Sequence, residues 1–184
     1  MGNLRRILLI SDGLYLLAGG LLGPIYALFV DEIGGDLLVA STTFAIFMLT
    51  AGIGVFLLGL WEDRFKHQRK FIIAGYGVGV LGTFGYLFVN SPPSLFIVQI
   101  ILGLSAALKD PAYDALFSRS AKHLVLAWGQ WEAVDYFSLG FGAIIGGLIA
   151  QNFGFQALLW CMLIISISSF FTSMLLLRMK KQQV

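Results

Sequence analysis

The stretch that decides the fold is Gly59-Leu60-Trp61-Glu62-Asp63-Arg64-Phe65-Lys66-His67-Gln68-Arg69-Lys70, a polar and basic run between two apolar segments. Apolar residues dominate the chain from about residue 38 up to this run and again from residue 71 after it. A stretch of about 20 apolar residues is long enough to cross a bilayer as a helix. The run therefore predicts a basic loop that joins two membrane-spanning helices.

The composition of the whole chain agrees with a membrane protein. Of its 184 residues, 58% are hydrophobic and 12% are charged, whereas an average globular protein has about 45–50% apolar and about 25% charged residues. This excludes most soluble enzymes, nucleic-acid binders and disordered tails, and the net charge of +2 is too small to indicate a polyanionic partner. Cys161 is the only cysteine, so neither a disulfide within the chain nor a CxxC metal site is possible. We also expect no other metal site and no cofactor.

Six apolar stretches follow one another along the chain. A span with its loop takes about 28–30 residues, so the length accommodates six spans and little else. The sequence predicts an all-α, polytopic membrane protein in which residues 1–184 form one six-helix transmembrane domain. The predicted spans cover about residues 7–30, 38–61, 71–89, 94–117, 125–150 and 155–177.

The basic residues predict the orientation of these spans. Eleven of the twelve lysines and arginines fall before span one, after span six, or in the loops after spans two and four. Under a six-span arrangement they all lie on one side of the membrane, which is the cytoplasmic side by the positive-inside rule. We therefore predict a multi-pass protein of the plasma (inner) membrane with both termini in the cytoplasm. The twelfth basic residue, Lys109, lies inside span four.

The basic loop resembles the loop signature of the major facilitator superfamily. Gly59, Asp63 and Arg64 match the glycine, aspartate and arginine of that signature, and the basic pair is displaced to Arg69 and Lys70. Lys66 stands where the family usually has a second glycine. The resemblance implies that these residues form a conformational motif, which stabilises the outward-facing state of a transporter.

Two further stretches resemble the same family. Span four contains Gln99 four residues before Gly103, where many members have an arginine. Span five contains a glycine-rich segment at 140–147, which looks like an antiporter motif with Ala143 in place of its proline. Because of these departures, the resemblance does not imply proton-coupled drug antiport.

The resembled fold has twelve spans, built as two six-span halves that lie parallel about an axis along the membrane normal. This chain corresponds to one half and resembles the N-terminal half. Since closed twofold symmetry is the commonest form of oligomer, we predict a parallel homodimer of half-transporters in the lipid bilayer. A heterodimer with a second half-transporter and a piece of a longer, twelve-span chain remain as alternatives.

Ionisable residues inside membrane spans are costly and usually functional, and here they fall in one layer. Lys109 is predicted to pair with one of the acids of that layer, and the surplus acids are candidates to hold a proton or attract a cation. Asp114 lies one turn further along span four. The alternative for Asp12, Asp114 and Glu132 is a structural charge network near the membrane interface, in which they reach water or pair with Arg119 and Lys122. The members of the layer are Asp12, Lys109, Asp110, Glu132 and Asp135.

In the resembled family, spans one and four line the central cavity. The resemblance therefore implies candidates for binding a small-molecule or ion substrate, namely Asp12, Tyr15, Gln99, Lys109, Asp110 and Tyr113. Glu132 and Asp135 join them because residues at i and i+3 share a helix face.

Other residues have structural interpretations. Proline in the interior of a helix kinks it, so Pro24 and Pro111 are predicted to kink spans one and four. The tryptophans, Trp128 and Trp131 among them, are typical of membrane-interface belts, and a role in the cavity is the alternative for these two. Small residues let membrane helices approach closely, and the glycines predicted to do so are Gly75, Gly79, Gly82, Gly142, Gly146 and Gly147.

The function predicted from these features is secondary active transport of a small solute by alternating access, with proton coupling as one option. An enzyme is not expected, because the chain contains no HExxH, GxSxG or Walker motif. A non-transporting scaffold or assembly protein that uses the half fold is the main alternative. A channel is a weaker one, because no segment resembles a selectivity filter.

Overall fold

A computed structural model describes residues 2–62 and 67–179 of the chain and, for side chains, residues 3–59 and 67–179. Asp63 and Arg64 of the loop motif lie outside the described residues. The described part folds into helices α1 (Gly2–Leu22), α2 (Tyr26–Glu32), α3 (Leu37–Glu62), α4 (Gln68–Tyr86), α5 (Pro92–Ser120) and α6 (Leu124–Arg178), with a 3₁₀ turn at Gly23–Ile25. The chain is thus all-α in the described ranges, as predicted.

Four helical segments of the described chain are long and apolar enough to cross a membrane. They are Asn3–Glu32, Leu37–Gly59, Pro92–Ser120 and Leu124–Arg178. Helix α4 does not reach that apolarity, because it begins with Gln68-Arg69-Lys70 and is rich in glycine. The fifth and sixth predicted spans both fall within the single long helix α6. The six predicted spans are therefore not reproduced one for one.

Breaks in the helices differ from the predicted turns in detail. At Pro24 the α-helix gives way to the 3₁₀ turn that separates α1 from α2, whereas α5 continues through Pro111 as one helix. Between the fifth and sixth predicted spans, only Gly154 leaves helical geometry, with φ 79° and ψ 170°. That φ is rarely adopted by residues with a Cβ atom. Gly154 therefore divides α6 into a first arm (residues 124–153) and a second arm (residues 155–178).

Glycines set how closely the helices approach each other. Helix α1 packs mainly against α6, and a Cβ atom at Gly142 would come within 2.9 Å of the backbone of Gly20. At Gly146 a Cβ atom would overlap the backbone of Leu21. Gly147 differs from the packing role predicted for it, because a Cβ atom there would meet nothing within 4 Å.

The contact between α4 and α5 is equally close. A Cβ atom at Gly75 would lie 2.7 Å from the Cβ of Lys109, and one at Gly82 would lie 2.5 Å from a methyl group of Leu102. A Cβ atom at Gly79 would meet the ring of Tyr15 at 2.8 Å. Small residues in this position bring the backbones of two membrane helices together, so the side chains of α1, α4 and α5 converge at this level.

Two apolar clusters fill the interior. One surrounds Tyr76, Tyr113 and Phe117, near the ends of α1 and α6 that carry the termini. The other surrounds Phe29, Tyr86 and Met162, toward the opposite ends. Polar side chains lie between and beside these clusters. The outward faces of α3 and of the first arm of α6 remain exposed and largely apolar.

Candidate functional site

A buried ion pair joins α1 to α5. The Lys109 Nζ atom lies 2.8 Å from Asp12 Oδ1 and 2.8 Å from Asp110 Oδ1. Asp12 is 1% exposed and Lys109 is 6% exposed, whereas the Asp110 side chain is 47% exposed. A buried charge is tolerated when it is paired and hydrogen-bonded, and Lys109 meets both conditions.

Asp12 accepts two further hydrogen bonds. The Tyr76 hydroxyl donates to Oδ1 at 2.9 Å, and the Trp131 indole Nε1 donates to Oδ2 at 2.8 Å. Both carboxylate oxygens therefore have donors, which come from α4, α5 and the first arm of α6. We call Asp12, Tyr76, Lys109, Asp110 and Trp131 the ion-pair cluster. It connects four helices through one carboxylate.

Aromatic rings surround the ammonium group of Lys109. Its Nζ atom lies 5.0 Å from the ring centroid of Tyr15 and 5.5 Å from those of Tyr76 and Tyr113. At such distances the ring quadrupole attracts a cation. The Tyr113 hydroxyl is enclosed and makes no hydrogen bond that meets normal geometry among the described residues.

The other predicted acids do not join the ion pair. Asp114 and Glu132 are exposed on the surface of α5 and of the first arm of α6. Asp135 is half-buried, and its Oδ1 atom is enclosed without a hydrogen-bond partner in the described chain. Asp114, Glu132 and Asp135 therefore form an acidic surface beside the ion-pair cluster, next to the exposed side chain of Asp110.

Gln99 lies away from Lys109, in a different polar group. Its Nε2 atom donates to the Tyr26 hydroxyl at 2.5 Å, and that hydroxyl donates to Thr43 Oγ1 at 2.7 Å. The chain of hydrogen bonds links α5, α2 and α3. Tyr15 is the residue between the two regions, since its hydroxyl lies 3.3 Å from Ser105 Oγ while its ring contacts the ammonium of Lys109.

A cavity of about 280 Å³ opens beside Gln99. We call it the aromatic cavity because several rings line it together with glycines and a few polar groups. The lining rings belong to Tyr15, Tyr26, Phe44, Phe47 and Tyr86. Gln99, Thr83 and Ser166 supply its polar side chains. The predicted binding residues thus divide between the ion-pair cluster and this cavity.

The described part of the loop motif makes one specific connection. Arg69 donates from Nη1 to the backbone carbonyl of Met179 at 2.5 Å and to that of Leu176 at 3.3 Å. Carbonyls at the end of a helix have no partners within it, so Arg69 caps the C-terminus of α6. Lys70 is exposed, and a Cβ atom at Gly59 would meet nothing within 4 Å.

Sequence reasoning missed two donors to Asp12. Trp131 was interpreted as part of an interface belt, yet its indole nitrogen binds the buried carboxylate. Tyr76 was not singled out, although it lies between Gly75 and Gly79 on the face of α4 that approaches α5. A polar aromatic residue next to a small-residue stripe was the available signal for Tyr76. No signal in the sequence distinguished Trp131 from Trp128.

Metal binding finds no support in the described residues, which contain no group of three or more histidine, cysteine or acidic side chains placed to hold an ion. The arrangement instead offers a paired buried charge, an acidic surface and an aromatic cavity. Such a set of groups suits the binding of a small solute.

The sequence of the chain is similar to that of a known protein family. The family model described as Major Facilitator Superfamily matches residues 8–183. An uncharacterized MFS-type transporter of Methanocaldococcus jannaschii is 26% identical over 164 residues, which is 85% of this chain and 42% of the relative. The tetracenomycin C resistance and export protein of Streptomyces glaucescens is 29% identical over 117 residues, which is 60% of this chain and 21% of the relative.

A third relative is closer in length. The uncharacterized MFS-type transporter YitZ of Bacillus subtilis is 27% identical over 148 residues, which is 78% of this chain and 88% of the relative. The chain thus spans less than half the length of the first two relatives and most of the third. With the family model matched along nearly the whole sequence and apolar helices throughout, this multi-pass membrane protein belongs to the major facilitator superfamily.

Proposed function

We propose that the protein is a half-transporter, which moves a small solute across the membrane by alternating access as a parallel homodimer. Proton coupling is the candidate driving force. The observation that carries the proposal is the buried pair of Asp12 and Lys109, which lies in two helices apolar enough to cross a membrane and is separated from a cavity by Tyr15. A charge in that position is costly and by default marks a pathway for a substrate or an ion.

The proposed domain is a six-span bundle over residues 1–184. Helix α6 has 55 residues and would be about 82 Å long if straight, more than twice the roughly 30 Å of a hydrocarbon core. The break at Gly154 supports two spans in place of one. Helix α4, with 19 residues, would extend about 28 Å, so it is long enough for the remaining span.

Both termini are proposed to lie in the cytoplasm, in the plasma (inner) membrane. The support is the distribution of lysine and arginine, which a six-span bundle places on one side. The loops on the other side contain Asp31, Glu32 and Asp36 but neither lysine nor arginine.

A second half is proposed to cover the acidic surface. Asp114 and Glu132 are exposed at the level of helices that cross the membrane, and an acid facing lipid is strongly disfavoured. A water-filled cavity between two halves would hydrate these groups. The length of YitZ supports a homodimer, whereas the longer relatives support a second half within the same chain or on a partner.

Surplus acids supply the proposed coupling site. Asp12 is engaged by three donors, and Lys109 is matched by Asp12 and Asp110. Asp135 and Glu132 have no ion-pair partner among the described residues, so they are the groups proposed to take up a proton or attract a cation. The name of one relative, the tetracenomycin C resistance and export protein, supports efflux of an organic solute.

The proposal is tested by flux in proteoliposomes with and without a pH gradient. We expect uptake or efflux by the unaltered protein and its loss in Lys109→Ala, with normal insertion of both proteins. Asp31→Asn, an exposed variant in the last turn of α2, serves as the matched control and should retain flux. Full transport by Lys109→Ala would overturn the assigned role.

Oligomeric state is tested separately, by crosslinking in membranes and by mass measurement in mild detergent. A dimer supports the homodimer. A strict monomer together with no flux across a panel of solutes would favour the alternative of a non-transporting scaffold or assembly protein.

A further inference from the structure

The aromatic cavity is chemically unlike the ion-pair cluster. Its volume is about 280 Å³, and none of the described side chains that line it carries a charge. For comparison, an apolar cavity of about 150 Å³ is large enough to bind benzene. The space therefore accommodates a molecule of one or two rings.

The walls favour a flat ligand. Rings from α1, α2, α3 and α4 line the space, with Tyr15, Phe44, Phe47 and Tyr86 among them. Aromatic pairs stabilise each other in stacked or edge-to-face contacts beyond the effect of burial alone. Gly19 also lines the cavity, and a Cβ atom built there would meet nothing within 4 Å, so the glycine leaves room that a side chain would occupy.

One polar group in the wall has no partner. Ser166 is 2% exposed, and its Oγ atom makes no hydrogen bond within the described chain. A buried hydroxyl without a partner is destabilising. The Oγ atom is covered in the ligand-free protein, so a ligand with a hydroxyl or N–H group relieves that cost by displacing the groups that cover it. On another wall, Gln99 is fixed by its bond to Tyr26 and presents a second polar surface.

The uncharged walls of the cavity disfavour an ionised ligand. Transfer of an unpaired charge into such a space is strongly unfavourable, and the face of Tyr15 already lies beside the ammonium of Lys109. We infer that the aromatic cavity is a binding site for a small uncharged aromatic solute with one hydrogen-bonding group, such as a phenol or an indole. This inference rests on the proposed transport function, for which it names the class of solute.

Tyr15 would connect this site to the ion-pair cluster. Its ring forms a wall of the cavity and also contacts Lys109, while its hydroxyl lies 3.3 Å from Ser105 Oγ. A ligand that displaces the ring therefore alters the surroundings of the Lys109 ammonium directly. Occupancy of the cavity and the state of the ion pair are thus linked through one side chain.

The test measures binding of radiolabelled p-cresol to the purified protein in lipid nanodiscs, corrected for empty nanodiscs. Toluene is the probe without a hydroxyl, and 4-hydroxybenzoate and tyramine are the charged probes. Gly19→Leu fills the cavity and should weaken p-cresol binding about tenfold or more. Gly140→Leu is the matched control, because Gly140 also faces open space but does not line the cavity.

Ser166→Ala gives the second measurement. It should reduce the preference for p-cresol over toluene by about threefold to tenfold, the value of one hydrogen bond, while toluene binding is unchanged. No saturable p-cresol binding, equal binding by Gly19→Leu and Gly140→Leu, or binding of a charged probe as strong as that of p-cresol would each overturn the inference.

Failure of this inference is distinguishable from failure of the proposed transport. Flux of another solute that p-cresol does not inhibit, in protein that does not bind p-cresol, leaves transport intact and removes the aromatic site. Binding that depends on Gly19 and Ser166, in protein that carries no flux of any probe, leaves the site intact and removes transport.

Discussion

The ion-pair cluster and the aromatic cavity lie on either side of Tyr15, and they treat buried polar groups in opposite ways. In the cluster, both oxygens of Asp12 accept hydrogen bonds and the Lys109 ammonium contacts two carboxylates. In the cavity, Ser166 has a buried oxygen with no partner in the described chain. A satisfied buried network fixes a unique arrangement of its helices, whereas an unsatisfied group costs free energy until something binds to it.

The ion-pair cluster and the aromatic cavity are suited to different tasks. The cluster connects α1, α4, α5 and α6 and requires all of its members, so we expect it to define one conformation of the bundle. The cavity has space and one unmet hydroxyl, so we expect it to respond to a ligand. Substitutions in the cluster and in the cavity should therefore have different effects, which test this difference.

The largest effect is expected from Lys109→Ala. Removal of one partner leaves Asp12 charged and buried, which costs about 3–5 kcal/mol, so the free energy of unfolding in detergent should fall by that amount. The double variant Asp12→Asn/Lys109→Met replaces the pair with neutral groups and should recover most of the stability but not the flux. If the double variant transports normally, the cluster has only a structural role.

Gly146→Ala should have the next largest effect. The added Cβ atom would overlap the backbone of Leu21, so α1 must move away from α6, and overpacking of this kind costs about 1–3 kcal/mol. Gly147→Ala is the adjacent control, because its Cβ atom meets nothing within 4 Å. Thermal unfolding of the pair checks the prediction, which equal melting temperatures would contradict.

Trp131→Phe tests whether Asp12 needs its third donor. The substitution keeps an aromatic ring but leaves Oδ2 without the indole N–H, and a hydrogen bond to a charged group contributes about 1.5–3 kcal/mol. We expect a loss of about 2 kcal/mol by the same unfolding measurement. Trp160→Phe, on an exposed site of the second arm, should change stability very little.

The smallest effects should have opposite signs at two serines of the second arm. Ser169 donates to the Ser11 carbonyl at 2.6 Å, so Ser169→Ala should destabilise the protein by about 1 kcal/mol. Ser166 donates to nothing within the described residues, so Ser166→Ala should leave the ligand-free protein unchanged or slightly more stable. Equal losses at both positions would show that Ser166 has a partner and that the contrast with the cluster is wrong.

Much of the candidate site follows from local sequence, but its partners do not. A single lysine inside an apolar span indicated a buried pair, because an isolated charge there has no other stable solution. Which acid would pair with Lys109 depended on the close approach of α1, α4 and α5, which the sequence does not encode locally. Gln99 and Tyr15 were grouped with Lys109 by their spans, yet Gln99 lies beside Tyr26 and lines the cavity.

The loop motif also has features that local sequence predicts and contacts that depend on helix packing. Its sequence indicated the family, and the family model matches residues 8–183. Arg69 was predicted to belong to a conformational loop, but its contacts to the carbonyls of Leu176 and Met179 connect residues more than 100 positions apart. A contact over that separation depends on how α4 and α6 pack, and no local pattern predicts it.

The sequence by itself determined that this is an all-α membrane protein of the major facilitator superfamily, because hydrophobic length, the basic loops and the loop motif are properties of consecutive residues. The tertiary structure alone decided that Asp12 is the buried partner of Lys109, that Trp131 and Tyr76 complete its hydrogen bonds, and that Ser166, in the wall of a cavity, has no partner among the described residues. The physical reason is that a charge or a hydroxyl in an apolar interior is stabilised by whatever lies within about 3 Å. The packing of glycine-bearing faces, rather than position along the chain, brings those groups together.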